Sequence, residues 1–156
     1  MDSAGDGTTI ASPMSFLAIQ YASDTVLVEY TGLVGYRERA MAVARAVERL
    51  ERSGAHLLLV DFTRAVLAEE GPAERADYIA RAIVALNAGV ARVALVAVPH
   101  AHAWPAELAC EVHHVPTNEF PDRASAMQWL RNAETGPPPL VARPPGNPSS
   151  RLQPAD

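Results

Sequence analysis

The chain has 156 residues, of which 49% are hydrophobic and 20% charged, and its net charge is −5 at pH 7. This length suits one domain with a hydrophobic core, and the acidic balance without a basic stripe argues against binding to nucleic acid or to an anionic membrane surface. The single cysteine, Cys110, excludes an intrachain disulfide, which fits a reducing compartment. Residues 1–13 lack the basic and apolar regions of a signal peptide, and no apolar run approaches the ~20 residues of a membrane span, so we expect a cytoplasmic protein.

The two ends of the chain differ in composition from its middle. Residues 1–13 are rich in Gly, Ser, Thr and Asp, and residues 134–156 are rich in proline. Proline interrupts both helices and sheet ladders, and neither segment holds enough apolar residues to offset ordering. We therefore predict flexible tails at 1–13 and 134–156 around one folded domain of residues 14–133.

A hairpin and a helix open the predicted domain. Residues 16–21 and 25–31 are predicted strands around a turn at 22–24. A helix is predicted over residues 36–52, because apolar residues recur at helical spacing, and Ser53-Gly54 ends it. Its apolar stripe comprises Tyr36, Ala40, Val43, Val47 and Leu50.

Two apolar segments then predict inner strands. Residues 57–60 and 93–98 show no alternation, which is typical of parallel strands covered on both faces. Between them a helix over 72–86 begins at Pro72, and alternating strands and helices imply parallel pairing. The predicted buried face of this helix comprises Ala76, Ile79, Ala80, Ile83 and Leu86.

Three short elements complete the domain. They are a helix over 105–111, an edge strand over 113–115 and a last helix that runs to Asn132 after a cap at Asp122. Helical spacing predicts that four residues of the last helix form its inner, buried face: Ala126, Trp129, Leu130 and Ala133.

The order of these elements, with Phe120 and an Ala-x-x-Trp-Leu helix at 126–130, resembles the STAS/SpoIIAA-like family, in particular uncharacterised single-domain bacterial members. The resemblance covers residues 25–130. It implies an α/β fold, a SpoIIAA-like sandwich with a mostly parallel five-stranded sheet, an N-terminal antiparallel hairpin and about four helices. It also implies a regulatory or protein-interaction domain that is not an enzyme.

In phosphorylatable members of that family, a loop after the strand that matches residues 57–60 carries a serine modified by a kinase partner. Here the corresponding loop, residues 61–72, carries Glu69 and Glu70 near that place, and no serine or threonine occurs from Arg64 to Pro116. The two carboxylates would replace a phosphate or simply stabilise a helix start, and Thr63 would form a local turn. We predict a partner-binding surface made of Asp61, Thr63, Arg64, Glu69, Glu70 and Glu74.

The alternative is a small-molecule binding domain, for an apolar ligand or a metal, with its site at the loop after the fourth strand. His100 and His102 follow that strand, where open α/β sheets bind ligands. Phe62, Leu67 and Trp104 would wall an apolar pocket, or would simply pack onto the sheet. A shared zinc site with Cys110, His113 and His114 is disfavoured, because about 10 Å of helix separates the two groups.

No catalytic or cofactor signature occurs in the chain. The nucleophile elbow, the Walker loop and the dinucleotide fingerprint are all absent, so we predict no catalytic residues, no cofactor and no resident metal. The partner would be a protein or a small apolar molecule. A homodimer stays open, because an edge strand near Phe16 would be free to pair with a second copy.

Overall fold

The computed structural model describes residues 15–132, and the structural statements below concern this part of the chain. Five strands form one mixed sheet in chain order: β1 (Phe16–Ala22), β2 (Thr25–Val34), β3 (Leu57–Leu67), β4 (Arg92–Val96) and β5 (Thr117–Phe120). β1 and β2 are antiparallel, and the other pairs are parallel. The predicted fold class is confirmed. The predicted tails, and Ala133, lie outside the described residues.

Helices cover both faces of the sheet. α1 (Tyr36–Ser53), α2 (Pro72–Ala85) and α3 (His100–Val112) pack on one face, with a short 3₁₀ turn (Leu86–Ala88) after α2, and α4 (Arg123–Arg131) packs on the other. The arrangement explains why the inner strands read as continuous apolar runs, since every residue of β4 is buried. Within residues 15–132, no helix is long and apolar enough to cross a membrane.

The predicted cap of the last helix is confirmed. Asp122 accepts a hydrogen bond from the backbone nitrogen of Ser125 at 2.8 Å, and Ala126 and Leu130 are fully buried against the sheet. Trp129 is only half-buried. Its ring lies 5.4 Å from that of Phe120, at the margin of the α4 core.

β3 is longer than the sequence indicates, and the prediction of a loop over residues 61–72 is wrong for its first half. The strand continues to Leu67 because β2 continues to Val34, and the two pair in register from Thr31 with Arg64 to Val34 with Leu67. A register shift between Glu29 and Thr31 marks a bulge, where β3 accommodates an extra residue. Charged residues inside a strand resemble a loop in the sequence.

α3 and the edge strand also differ from the prediction. α3 begins at His100, so Pro105 lies inside the helix instead of opening it, and the residues predicted to form a loop after β4 occupy the first turns of α3. The predicted strand at 113–115 is the turn that ends α3, where His114 has φ 58° and Val115 donates to the carbonyl of Cys110. The edge strand lies four residues later, at Thr117–Phe120.

The buried faces of α1 and α2 are rotated from their predicted positions. In α2 the aromatic ring of Tyr78 occupies the inner position, and Ala76 and Ala80 are exposed. In α1 the predicted Ala40, Val43 and Val47 are half-buried. The fully buried residues of α1 are Tyr36, Arg39, Ala42, Ala46 and Leu50. The rotation brings an arginine into the core.

Candidate functional site

The predicted partner-binding residues begin at a buried carboxylate on the carboxyl half of β3. Asp61 accepts hydrogen bonds from the backbone nitrogen of Thr63 at 2.8 Å and from its hydroxyl, and it also accepts from the guanidinium of Arg123 on α4. Burial pushes the pKa of Asp61 upward, but the hydrogen bonds from Thr63 and Arg123 outweigh it and hold the pKa below its usual value. Asp61 is therefore an ionised anchor inside the fold.

A second carboxylate joins this ionic group at the surface. Glu29 of β2 pairs with Arg123 at 2.9 Å and lies 3.9 Å from the guanidinium of Arg64, which is itself mostly exposed. The group contains two acidic and two basic side chains, so its charges balance. Thr63 and Arg64 are the members that solvent or a partner reaches.

Glu69 and Glu70, the two acidic residues just before α2, have different roles. The carboxylate of Glu70 accepts a hydrogen bond from the backbone nitrogen of Tyr36, and so it satisfies the first turn of α1. The side chain of Glu69 is 94% exposed, and its carboxylate lies 3.8 Å from Nε2 of His102. Glu74 is exposed on the first turn of α2. Of the three acids, Glu70 is committed to the fold, while Glu69 and Glu74 face outward.

Beyond the ionic group, the β2–β3 extension consists of residues 31–34 of β2 and 64–67 of β3. Leu33 and Val66 are partners in its register and are 67% and 62% exposed. Alternation along β2 places Leu33 on the face of Leu27, which α4 covers further down the sheet. The extension thus presents two aliphatic side chains next to each other. Sequence analysis missed Leu33, which lies past the predicted end of its strand.

His100, His102 and Trp104 lie on the first turns of α3. Nδ1 of His100 lies 2.8 Å from the carboxylate of Glu119 on β5, while the half-buried His102 turns toward Glu69. Trp104 is half-buried, with the guanidinium of Arg75 above its ring at 5.2 Å. The structure therefore does not bring these three side chains to one site.

His100 instead belongs to a cluster that the sequence analysis did not predict. One ligand atom each from His100, Glu107 and Glu119 lie within 4.8 Å of one another. Burial and a hydrogen bond shared with Glu119 raise the pKa of Glu107 to about 7. Burial opposes ionisation of Glu119 too, but its hydrogen bonds with Glu107 and His100 lower its pKa. The hydrogen bond with Glu119 raises the pKa of His100. Glu107 is one turn past the predicted loop, which is why a loop-based reading missed it.

Cys110, His113 and His114 lie toward the other end of α3, about 15–20 Å along the helix axis from His100. Burial raises the pKa of the Cys110 thiol to about 11, so the thiol stays protonated and unreactive at neutral pH. Nε2 of His113 contacts the carbonyl of Ile83 at 2.6 Å. These positions agree with the expectation that the two groups do not share one metal.

Phe62 lines a core cavity that the other predicted pocket residues do not reach, although Leu67 packs against the same core. Phe62 is buried on the three-helix side of the sheet, with its ring 4.7 Å from that of Tyr30. A cavity of about 30 Å³ beside it is lined by Phe62 and by Arg39 of α1, but not by Leu67 or Trp104. The sequence contained a signal for Arg39, since it lies three residues after Tyr36 and four before Val43, on the apolar stripe.

Comparisons with known proteins concern the fold. No family model matches the chain, and no curated protein does. The solved structure of the anti-sigma factor antagonist SpoIIAA in its unphosphorylated form is similar with 13% identity and a TM-score of 0.46, over 74% of this chain and 97% of that chain. A DUF3478-family protein from Shewanella loihica PV-4, described as uncharacterised and as having a SpoIIAA-like fold, is similar with 15% identity and a TM-score of 0.48, over 77% and 97%. The strand order described above agrees with the predicted fold class, a five-stranded, mostly parallel sheet with an N-terminal antiparallel hairpin.

Proposed function

We propose that this chain is a protein-interaction domain without catalytic activity, and that it binds an extended segment of a partner protein along the β2–β3 extension. The observation that carries the proposal is the exposure of Leu33 and Val66 side by side on paired strands. Exposed apolar side chains with a polar rim are a common feature of interaction sites. Arg64 and Glu69 supply that rim here.

An open strand edge supports an extended partner over a helical one. Pairing between β3 and β4 ends at Asp61 with Val96, so within residues 15–132 the part of β3 from Arg64 to Leu67 pairs with β2 alone. A strand with an unpaired edge accepts a further strand through its backbone groups, while alternate side chains give specificity. Leu33 and Val66 would contact the apolar side chains of the incoming segment.

The predicted partner-binding residues divide between contact and support in this proposal. Thr63, Arg64, Glu69 and Glu74 face outward and would contact the partner, whereas Asp61 and Glu70 hold the surrounding backbone. Since residues 64–116 contain no serine or threonine, phosphorylation at the start of α2 would not control the interaction.

Site-specific photo-crosslinking tests the proposal. A photoreactive amino acid at position 66 should capture one predominant protein from a native lysate, and a synthetic peptide from the captured protein should compete with it. The matched control carries the same amino acid at position 84, because Val84 is 75% exposed but lies on α2. Leu33→Lys should abolish capture at position 66. Indistinguishable adducts at positions 66 and 84, or capture that Leu33→Lys leaves unchanged, would contradict the proposal.

A second candidate function, divalent metal binding, is favoured by the cluster of His100, Glu107 and Glu119. One imidazole and two carboxylates converge from α3 and β5 with their ligand atoms within 4.8 Å. This donor set suits Zn²⁺ or Mn²⁺, and the remaining coordination positions would be filled by water. The proposed site retains His100 from the original small-molecule alternative but replaces His102 with two carboxylates.

Titration calorimetry with ZnCl₂ and with MnCl₂ tests the metal candidate. The wild type should bind one ion per chain, and Glu119→Gln should weaken binding roughly 10- to 100-fold, as lost metal-site contacts commonly do. The control is Glu111→Gln, because Glu111 is exposed on the same helix but outside the cluster. Equal affinities in the two variants would exclude this site.

A further inference from the structure

Arg39 lies inside the hydrophobic core on the three-helix side of the sheet. It is only 2% exposed, although it is an arginine on a helix whose other charged residues face solvent. Its guanidinium carbon lies 5.1 Å from the ring centroid of Tyr36, 5.1 Å from that of Phe62 and 4.7 Å from that of Tyr78. The three rings attract the cation but carry no net charge.

The charge of Arg39 has no counterion in the described part of the chain. Among residues 15–132, no carboxylate lies within ion-pair distance of its guanidinium, and its Nε has no hydrogen-bond partner. Tyr30 and Tyr78 each form a side-chain hydrogen bond with the guanidinium, but burial raises the pKa of both, so their hydroxyls remain neutral and do not balance its charge. A guanidinium does not lose its proton in proteins, and a buried charge without a partner is strongly unfavourable.

A cavity of about 30 Å³ adjoins this arginine. It has room for about two water molecules. Apart from Arg39, Tyr30, Tyr78 and the thiol of Cys110, its lining side chains are aliphatic or aromatic. They come from β2, β3 and β4 on the sheet side and from α1, α2 and α3 on the helix side. The cavity therefore combines one unpaired cation with apolar walls.

We propose that this cavity, the Arg39 chamber, binds a short-chain aliphatic monocarboxylate. The planar carboxylate matches the donor geometry of the guanidinium, and its single charge neutralises the single cation. A dianion such as phosphate would leave a buried negative charge in excess. The hydrogen of formate or the methyl group of acetate would lie against Val28, Val60 and Leu95, because room for about two water molecules excludes a longer alkyl chain. The chamber lies on the opposite face of the sheet from Leu27, and its occupancy does not depend on the interaction proposed for the β2–β3 extension.

Calorimetry and thermal unfolding with the sodium salts of formate, acetate, butyrate, hexanoate and decanoate test the proposal, at constant ionic strength with chloride as the counter-salt. The wild type should bind one carboxylate per chain with an optimum at formate or acetate, and its Tm should rise with ligand concentration. Arg39→Met replaces the cation with an apolar side chain of similar length and should weaken binding roughly 10- to 100-fold.

Two further variants keep the test decisive if Arg39→Met folds poorly. Ala106→Leu places extra volume in the chamber while retaining Arg39, and it should abolish binding. Arg92→Met removes another buried arginine that stacks on an aromatic ring, 4.6 Å from Trp129 on the α4 side, and it should bind like the wild type. The proposal is overturned if no carboxylate in the series binds the wild type, or if Ala106→Leu or a folded Arg39→Met binds with unchanged affinity.

Discussion

The guanidinium of Arg123 on α4 donates a hydrogen bond to the carboxylate of Asp61 on β3, 62 residues earlier in the chain. Its second nitrogen reaches Glu29 of β2 at 2.9 Å. One side chain therefore ties the last helix to two neighbouring strands, next to the point where these strands leave the sheet as the β2–β3 extension. These directional contacts of Arg123 supplement the non-directional apolar contacts by which Ala126 and Leu130 hold α4 on the sheet.

Asp61→Asn is expected to lower the free energy of unfolding by about 1.5–3 kcal/mol, because it removes a charge-assisted hydrogen bond and leaves Arg123 less well neutralised. Urea denaturation at pH 7 measures this loss. The matched control is Asp77→Asn, since Asp77 pairs with Arg81 at 2.9 Å on the exposed face of α2. An exposed pair of this kind contributes about 0.3–0.5 kcal/mol. Equal losses in the two variants would show that Asp61 is not an internal anchor.

The same carboxylate predicts a pH dependence. The folded-state pKa of Asp61 is below its ordinary value of 3.8, so its stabilising contribution is complete above that value and is lost as the pH falls through the folded-state pKa. The difference in unfolding free energy between the wild type and Asp61→Asn should therefore shrink in acid. Urea denaturation at pH 7 and pH 3 tests this, and a difference that is the same at both values would be inconsistent with the prediction.

Glu70→Ala should destabilise the domain by about 1 kcal/mol, which is typical for loss of a helix cap, because the backbone nitrogen of Tyr36 loses its acceptor. Glu69→Ala, at the exposed neighbour, should stay within about 0.5 kcal/mol of the wild type. Glu70 is therefore assigned to the fold and Glu69 to the surface. A urea series on the single variants decides between the two assignments.

Gly35→Ala tests the same cap from the other side. A Cβ at position 35 would lie 2.6 Å from one carboxylate oxygen of Glu70 and 3.0 Å from the other, which accepts from Tyr36, so this carboxylate must shift. The substitution should cost about 1 kcal/mol in the wild type and clearly less in the Glu70→Ala background, where nothing is displaced. A double-mutant cycle measures this coupling, and strictly additive losses would contradict the proposed contact.

Cys110 should resist modification in the native protein. It is 2% exposed and its thiol pKa is about 11, so the reactive thiolate is both scarce and covered. Ellman's reagent at pH 8 should react at the rate of unfolding in buffer and within seconds in concentrated urea. Rapid stoichiometric reaction under native conditions would instead place this thiol at an accessible site.

The sequence predicted the elements that two-sided burial or a helix cap marks locally. It missed those whose extent depends on pairing or packing with another strand or helix. The apolar runs at 57–60 and 93–98 and the cap at Asp122 identified two inner strands and the last helix, because burial on both faces and capping leave a local signature. The length of β3 carried no such signature, since residues 61–67 are held in a strand by pairing with β2. Pro105 suggested the start of α3, although the helix begins five residues earlier.

Composition and periodicity by themselves determined the α/β fold class, with a helix-covered, mostly parallel sheet, because the alternation of apolar runs and amphipathic stretches admits few other arrangements. Only the tertiary structure decided which polar groups meet. Tyr78 occupies the inner face of α2, and Arg39 lies beside a core cavity. His100 clusters with Glu107 and Glu119 and not with His102. Such juxtapositions depend on helix rotation and strand register between distant segments, and helical spacing fixes neither of them.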